Sequence, residues 1–251
     1  MSDKIKILYL AANPSDTGHL RLQEEARDLE ERIRLGPHRE VFEVIHCLAV
    51  RPKDLLRGLQ EVQPHIIHFS GHGNADKRIV LQDDDGNSQP IAPQDLADLV
   101  KLFKTNLKVA LLNSCYGRRQ AKALSQVLDF TIGMDKPISD SGAVSFSAAF
   151  YQVLASGGSI RQAFESARLL TRMEGRPVFE VSDLLVGDEA NADEPFINVL
   201  RTPMGMPPTL PPLTETPAPT GDIKLKQSIC DSHIGNNTAV AGNNIHINNR
   251  D

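Results

Sequence analysis

Cysteine is scarce in this sequence. The 251 residues contain three, an odd number, which argues against a disulfide framework. Positive charge is not in excess either. Lysine plus arginine total 27 against 32 aspartate plus glutamate, and the resulting net charge of −5 argues against a general nucleic-acid binder, which carries a basic face or stripe. No apolar run approaches the roughly 20 residues that a membrane span needs. The run that follows Lys6 is too short for a signal peptide. Neither a Gly-x-Ser-x-Gly elbow nor a glycine-rich phosphate loop occurs, so serine-hydrolase and nucleotide-hydrolase readings have no support. What remains reads as a cytoplasmic protein of ordinary globular composition, long enough for one full domain with additions.

The clearest boundary lies near Arg201. Seven of the sixteen prolines fall between Pro203 and Pro219, and no aromatic residue follows Arg201. Residues 201–221 therefore read as an extended Pro/Thr-rich linker. A folded domain precedes it over 1–200, and an Asn/Gly-rich tail follows over 222–251. Within the first 200 residues, apolar strand signals alternate with amphipathic helix signals. Ile5–Ala12 is an apolar run stopped by Asn13-Pro14, and Leu22, Ala26, Leu29 and Ile33 have helical spacing. Ile66–Phe69 and Val109–Leu112 are further short apolar runs, Gln120–Leu128 reads as a helix and Pro177–Val181 as a last strand. Asp85-Gly86 marks a hairpin turn between Arg78–Leu81 and Ser88–Ile91. The pattern predicts an α/β fold with a mainly parallel sheet covered by helices on both faces.

In open parallel sheets, ligands bind beyond the carboxyl ends of the strands. One such end runs into Ser70-Gly71-His72-Gly73, another into Asn113-Ser114-Cys115. A cysteine nucleophile needs a neighbour that favours the thiolate, and imidazole is the usual one. The unpaired N–H groups of a helix starting after Cys115 would favour it further. Gly73 would let a substrate approach the backbone, so that its N–H serves an oxyanion hole. Cysteine is also among the most buried residue types, so Cys115 is equally readable as core, as is Cys47. His65, His68 and His72 lack further donors at zinc-ligand spacing. His68 reads as a buried support for the loop, and Asp83–Asn87 as a turn, not a calcium loop. No metal and no cofactor are implied.

Two segments carry a resemblance. His68-Phe-Ser-Gly-His-Gly73, with His72 placed 43 residues before Cys115 in Leu112-Asn-Ser-Cys-Tyr-Gly117, resembles the caspase-like CHAT domain family. The interval is similar to the roughly 50 residues between histidine and cysteine in caspases. Ile7–Pro14 with Leu20-Arg-Leu22 and Glu25, Pro137–Ser141, and Ala163–Arg168 are similar to the same family, so the likeness spans about residues 4–185. It implies a caspase–hemoglobinase fold and cysteine endopeptidase activity. His72 would be the general base and acid, Cys115 the nucleophile, and the backbone N–H groups of Gly73 and Cys115 the oxyanion hole. The caspase signature Gln-Ala-Cys-Arg-Gly is absent. Metacaspases, similar in fold, place aspartate two residues before the cysteine, where this chain has Asn113. Asn113 is thus a candidate substrate contact without a charge to select P1. Asp140, and Asp135 before it, are candidates for lining S1, or equally a helix cap and a solvated loop.

The tail carries Ile234, Gly235, Asn236 and Asn237, then Gly242, Asn243, Asn244, Ile245 and Ile247; Gly-Asn-Asn recurs seven residues apart. Short β-prone pieces of low charge with asparagine ladders suit cross-β stacking, although the same composition suits a polar disordered tail. The pattern resembles bacterial amyloid signalling motifs at the termini of defence effectors, which template assembly between a nucleotide-binding receptor and its effector. The expectation is a bacterial immune or cell-death protease, assembled through its tail by an upstream sensor. Its substrate would be a protein, by family analogy a pore-forming or toxin precursor. The rival reading is a non-catalytic adaptor that assembles through the same tail. A signalling hydrolase is a third reading, which no phosphate-binding feature supports.

Overall fold

The computed structural model describes residues 4–176, 178 and 182–201. All but the first residue of the 201–221 linker, and the whole 222–251 tail, lie outside the described residues, as does most of the strand expected over Pro177–Val181. In chain order the first elements are β1 (Ile5–Ala12), α1 (Leu22–Leu35), β2 (Phe42–Leu48), α2 (Pro52–Val62) and β3 (Ile66–Gly71). Then come β4 (Ile79–Gln82), β5 (Ser88–Ile91), α3 (Pro93–Leu102), β6 (Val109–Asn113) and α4 (Arg118–Leu124). The last are β7 (Phe130–Met134), α5 (Asp140–Ala155), α6 (Ile160–Met173) and β8 (Ser182–Val186). Helix α4 stops at Leu124, short of the expected Leu128, because the chain turns at Ser125 with Val127 N–H returning to Leu124 O at 2.9 Å.

Six strands form one sheet in the order β2-β1-β3-β6-β7-β8, with β4 and β5 set apart as a hairpin. The first five run parallel, and β8 closes the edge antiparallel to β7. Alternation along the strands sorts side chains to two faces. Ile5, Ile7, Tyr9 and Ala11 of β1 join a core with residues of α1, α5 and α6. Leu8, Leu10 and Ala12 join a second core with residues of α2, α3 and α4. Covering on both faces explains why the central strands read as nearly unbroken apolar runs. Serines cap two of the helices: Ser139 Oγ accepts from Gly142 N and Ser159 Oγ from Gln162 N.

Strand β1 lies between β2 and β3, so the chain adds β2 on one side, then crosses over and adds β3, β6 and β7 on the other. The loops leaving β1 and β3 therefore start side by side at the carboxyl edge of the sheet, where Ala12 pairs with Gly71. Among the described residues no helix is long and apolar enough to cross a membrane.

Candidate active site

Strand register sets the site. On the neighbouring strands β3 and β6, Ser70 pairs with Asn113. His72 follows Ser70 by two residues and Cys115 follows Asn113 by two, so both leave the sheet at the same level. Their loops are pressed together. A Cβ built on Gly73 would lie 1.7 Å from the Cys115 carbonyl oxygen, so only glycine fits there. The histidine loop is held from its other side by β4, with Val80 N–H donating to His72 O at 3.0 Å. Helix α4 joins in through Gln120 Nε2, which donates to Lys77 O at 3.2 Å.

His72 Nε2 lies 2.6 Å from the Gly18 carbonyl oxygen, in the loop that leaves β1. A carbonyl can only accept, so Nε2 carries the proton. The neutral ring then keeps its lone pair on Nδ1. Cys115 is a free thiol of intermediate exposure. Directly after it, Tyr116 adopts a left-handed backbone with φ 59°, a conformation costly for a bulky residue and concentrated at functional sites. Among the described residues, neither the Gly73 nor the Cys115 N–H is used in a hydrogen bond. The expected helix after Cys115 is present as α4, two turns long and beginning at Arg118.

Asn113 is placed otherwise than expected. Its residue is 3 % exposed, and Nδ2 is directed inward to Glu25 Oε1 at 2.7 Å, Ser147 Oγ at 2.9 Å and Ala143 O at 3.1 Å. The side chain lies on the inner face with Val109 and Leu111, because residues two apart share a face. It therefore lies beneath the strand ends, turned away from the loops that carry His72 and Cys115. Asp140, the first residue of α5, is also engaged: its carboxylate accepts from Arg21 Nε at 2.8 Å and from Arg21 N. Asp135 stands 3.5 Å from Arg118.

The centre of this arrangement is Glu25, which the sequence reading named as part of the family likeness without giving it a role. Its carboxylate, 2 % exposed, accepts from Asn113 Nδ2, from Ser147 Oγ at 2.6 Å and from Ser70 Oγ. Tyr9 Oη donates to Leu22 O at 3.0 Å and stands 3.4 Å from the same carboxylate. His68 is fully buried between Tyr9 and Tyr151, with Nε2 3.2 Å from Glu25 Oε1, an ion-pair separation; neither ring nitrogen makes a hydrogen bond of regular geometry. Burial would push the Glu25 carboxyl up, but His68 and the two serine hydroxyls reverse this and hold it below its ordinary value. Burial and the Glu25 charge push the Tyr9 and Tyr151 phenols up. A signal for Glu25 was present in the sequence: it stands on the apolar stripe of α1, three residues after Leu22. His65 is turned away, its Nδ1 accepting from Lys6 N, so the three histidines do not converge.

A cavity of about 470 Å³ lies beside the ends of β1 and β2, lined by Asn13, His19, Arg21, Glu24, Leu48 and Ala49 among others. It adjoins the loop that holds His72 but contains neither His72 nor Cys115.

The sequence profile of the CHAT domain family matches residues 10–197. A "Roc-COR-CHAT protease" from an unknown prokaryotic organism is 23 % identical over 198 residues, which is 73 % of this chain and 19 % of that protein. A "Probable protease" of Gillisia limnaea is 23 % identical over 153 residues, 60 % of this chain and 27 % of that one. The chain thus spans about a fifth to a quarter of the length of these curated relatives. Among solved structures, the Arg-specific cysteine proteinase gingipain R matches with a TM-score of 0.53 at 12 % identity, covering 76 % of this chain and 48 % of its own. A secreted C11 cysteine protease from Bacteroides thetaiotaomicron, solved with an irreversible peptide inhibitor, matches with a TM-score of 0.49 at 12 % identity, covering 68 % and 60 %. At 12 % identity the gingipain likeness is one of fold, and it agrees with the mainly parallel, helix-flanked sheet described above.

Proposed function

The chain belongs to the CHAT domain family, and on that premise we propose that it is a cysteine endopeptidase with Cys115 as nucleophile and His72 as its base. The observation that carries this reading is the contact of the two loops, with Gly73 packed on the Cys115 carbonyl at the ends of adjacent parallel strands. Gly18 O fixes the His72 ring and its tautomer, leaving Nδ1 to take the thiol proton. The thiolate then adds to the scissile carbonyl carbon, and the unused N–H groups of Gly73 and Cys115 receive the oxyanion. His72 returns the proton to the leaving amine, and water hydrolyses the acyl-enzyme. Neither Asn113 nor Asp140 supplies a free charge for P1 selection, since one is enclosed and the other is held by Arg21.

In this reading the protease is a bacterial immune or cell-death effector acting on a protein substrate. Its 222–251 tail, through the two Gly-Asn-Asn repeats, joins it to copies of itself or to a sensor with a matching motif, possessing a nucleotide-binding receptor domain. Such assembly raises the local concentration of protease domains. The support is the motif pattern behind a proline linker and the family of the preceding domain.

Proteome-wide mapping of new N-termini tests both levels. A cell lysate is incubated with the wild type, with Cys115→Ala, and with a form oligomerised by a fused domain in place of the tail. New termini that disappear in Cys115→Ala, with activity reduced about a thousandfold or more, are expected. Termini made only by the oligomerised form would assign the tail to activation. No Cys115-dependent terminus in any sample would overturn the peptidase and leave the adaptor.

A further inference from the structure

Glu25 is the most enclosed carboxylate among the described residues, and helix docking does not require it. Leu22, Ala26, Leu29 and Ile33 already give α1 a continuous apolar stripe against the sheet. An apolar side chain at position 25 would avoid the desolvation cost of a buried carboxylate. The carboxylate instead gathers hydrogen bonds from three separate elements: Ser70 of β3, Asn113 of β6 and Ser147 of α5. Two of these donors are register partners across β3 and β6, and each stands two residues before a member of the proposed dyad. The segment that carries Glu25 also carries Gly18, whose carbonyl holds His72.

Resting on the peptidase reading above, we propose that Glu25 is a positioning residue of the site: it locks α1, and with it the Gly18 carbonyl, in register with the two strand ends that bear His72 and Cys115. The physical argument is one of direction. Apolar packing on a helix stripe is non-directional and tolerates sliding along the sheet, whereas a buried carboxylate with three donors has one satisfied placement. If the tie is loosened, the Gly18 carbonyl withdraws from His72 Nε2, and the imidazole loses its orientation toward the thiol. Rate is sensitive to such shifts, since a misplacement of about 1 Å can cost on the order of a hundredfold. Glu25 itself touches no reacting atom.

The test reads Cys115 directly and needs no substrate. Iodoacetamide alkylation of Cys115 in the full chain is followed by peptide mass from pH 5 to 9, with thermal unfolding measured in parallel. Ser70→Ala and Ser147→Ala each remove one hydroxyl donor from the Glu25 carboxylate, whereas Leu59→Ala lowers stability from the opposite face of the sheet without touching it. Glu25→Gln, Ser70→Ala and Ser147→Ala are expected to slow alkylation at neutral pH by about tenfold and to move the profile to higher pH. Leu59→Ala is expected to lower the unfolding temperature at least as much as the serine variants while leaving the profile in place. Serine variants with the wild-type profile, or a Leu59→Ala profile shifted as far as theirs, would reduce Glu25 to a structural role and overturn the proposal. Should Glu25→Gln fail to fold, the two serine variants decide against Leu59→Ala. His72→Ala separates the two levels: alkylation unaffected by its loss would sink the peptidase reading itself, whatever the serine variants do.

Discussion

The two faces of strands β1, β3 and β6 differ in kind. Toward α2, α3 and α4 the strands present Leu8, Leu10, Ala12, Ile67, Phe69, Ala110 and Leu112, all apolar. Toward α1 and α5 the same strands begin apolar with Ile5, Ile7, Ile66 and Val109, then turn polar with Tyr9, His68, Ser70 and Asn113. The change occurs toward the carboxyl ends, where His72 and Cys115 leave the sheet. Hydrophobic burial suffices to hold the first face, and the second spends buried polar groups that a core of equal size does not need. The difference teaches that apolar burial holds both faces, and that only one of them adds a buried polar network at the strand ends.

Substitutions that separate the two faces test that division. The largest effect on stability is expected from Leu59→Ala, which empties a fully buried position of the apolar core. A loss of about 2–5 kcal/mol in chemical denaturation is expected. Below the unfolding transition, Cys115 alkylation should match the wild type; a slowed reaction in the folded variant would break the division. Gly73→Ala comes next. Its methyl group meets the Cys115 carbonyl oxygen, so the loops must part, at a cost of about 1–3 kcal/mol. Unlike Leu59→Ala it should also abolish peptide cleavage, and a variant with normal cleavage would show that the loop contact is dispensable.

Acid sharpens the comparison from the polar side. Because Glu25 is held below its ordinary value of 4.5 in the folded chain, its contribution is whole above that value. The contribution is lost as pH falls through the lower folded value, where the carboxylate takes up a proton. The gap in urea midpoint between wild type and Glu25→Gln should therefore be present at pH 7 and shrink on acidification. A gap that stays constant would mean that the charge of Glu25 stabilises nothing. The smallest effect is expected from Asp140→Ala. Arg21 already occupies that carboxylate at the surface, so neither the unfolding temperature nor the P1 profile should change much. A changed P1 profile would place Asp140 in the S1 pocket after all.

Much of this was legible in the sequence, and the parts that were not share a physical cause. Strands β1, β3 and β6 showed as apolar runs because both faces are covered, and the β4–β5 hairpin showed through Asp85-Gly86, whereas the edge strand β8 was not read. His72 and Cys115 stood out because each follows a strand signal. Asn113 was misread because its direction depends on strand register, and register places it inward with Val109 and Leu111. The Gly18 carbonyl has no side chain to advertise it. Glu25 showed locally only as a charge on the apolar stripe of α1, because its partners lie 45, 88 and 122 residues away along the chain.

Those separations also set an order in time. Glu25 cannot complete its hydrogen bonds until Ser147 is available, 34 residues after Asn113 in the chain. Synthesis delivers His72 and Cys115 first, and helix α5, which carries Ser147, afterwards. A nascent chain therefore holds both halves of the proposed dyad well before it holds the helix that fixes them. Closing contacts this distant in sequence costs loop entropy. On the proposed reading, the geometry around His72 and Cys115 is complete only once α5 has docked.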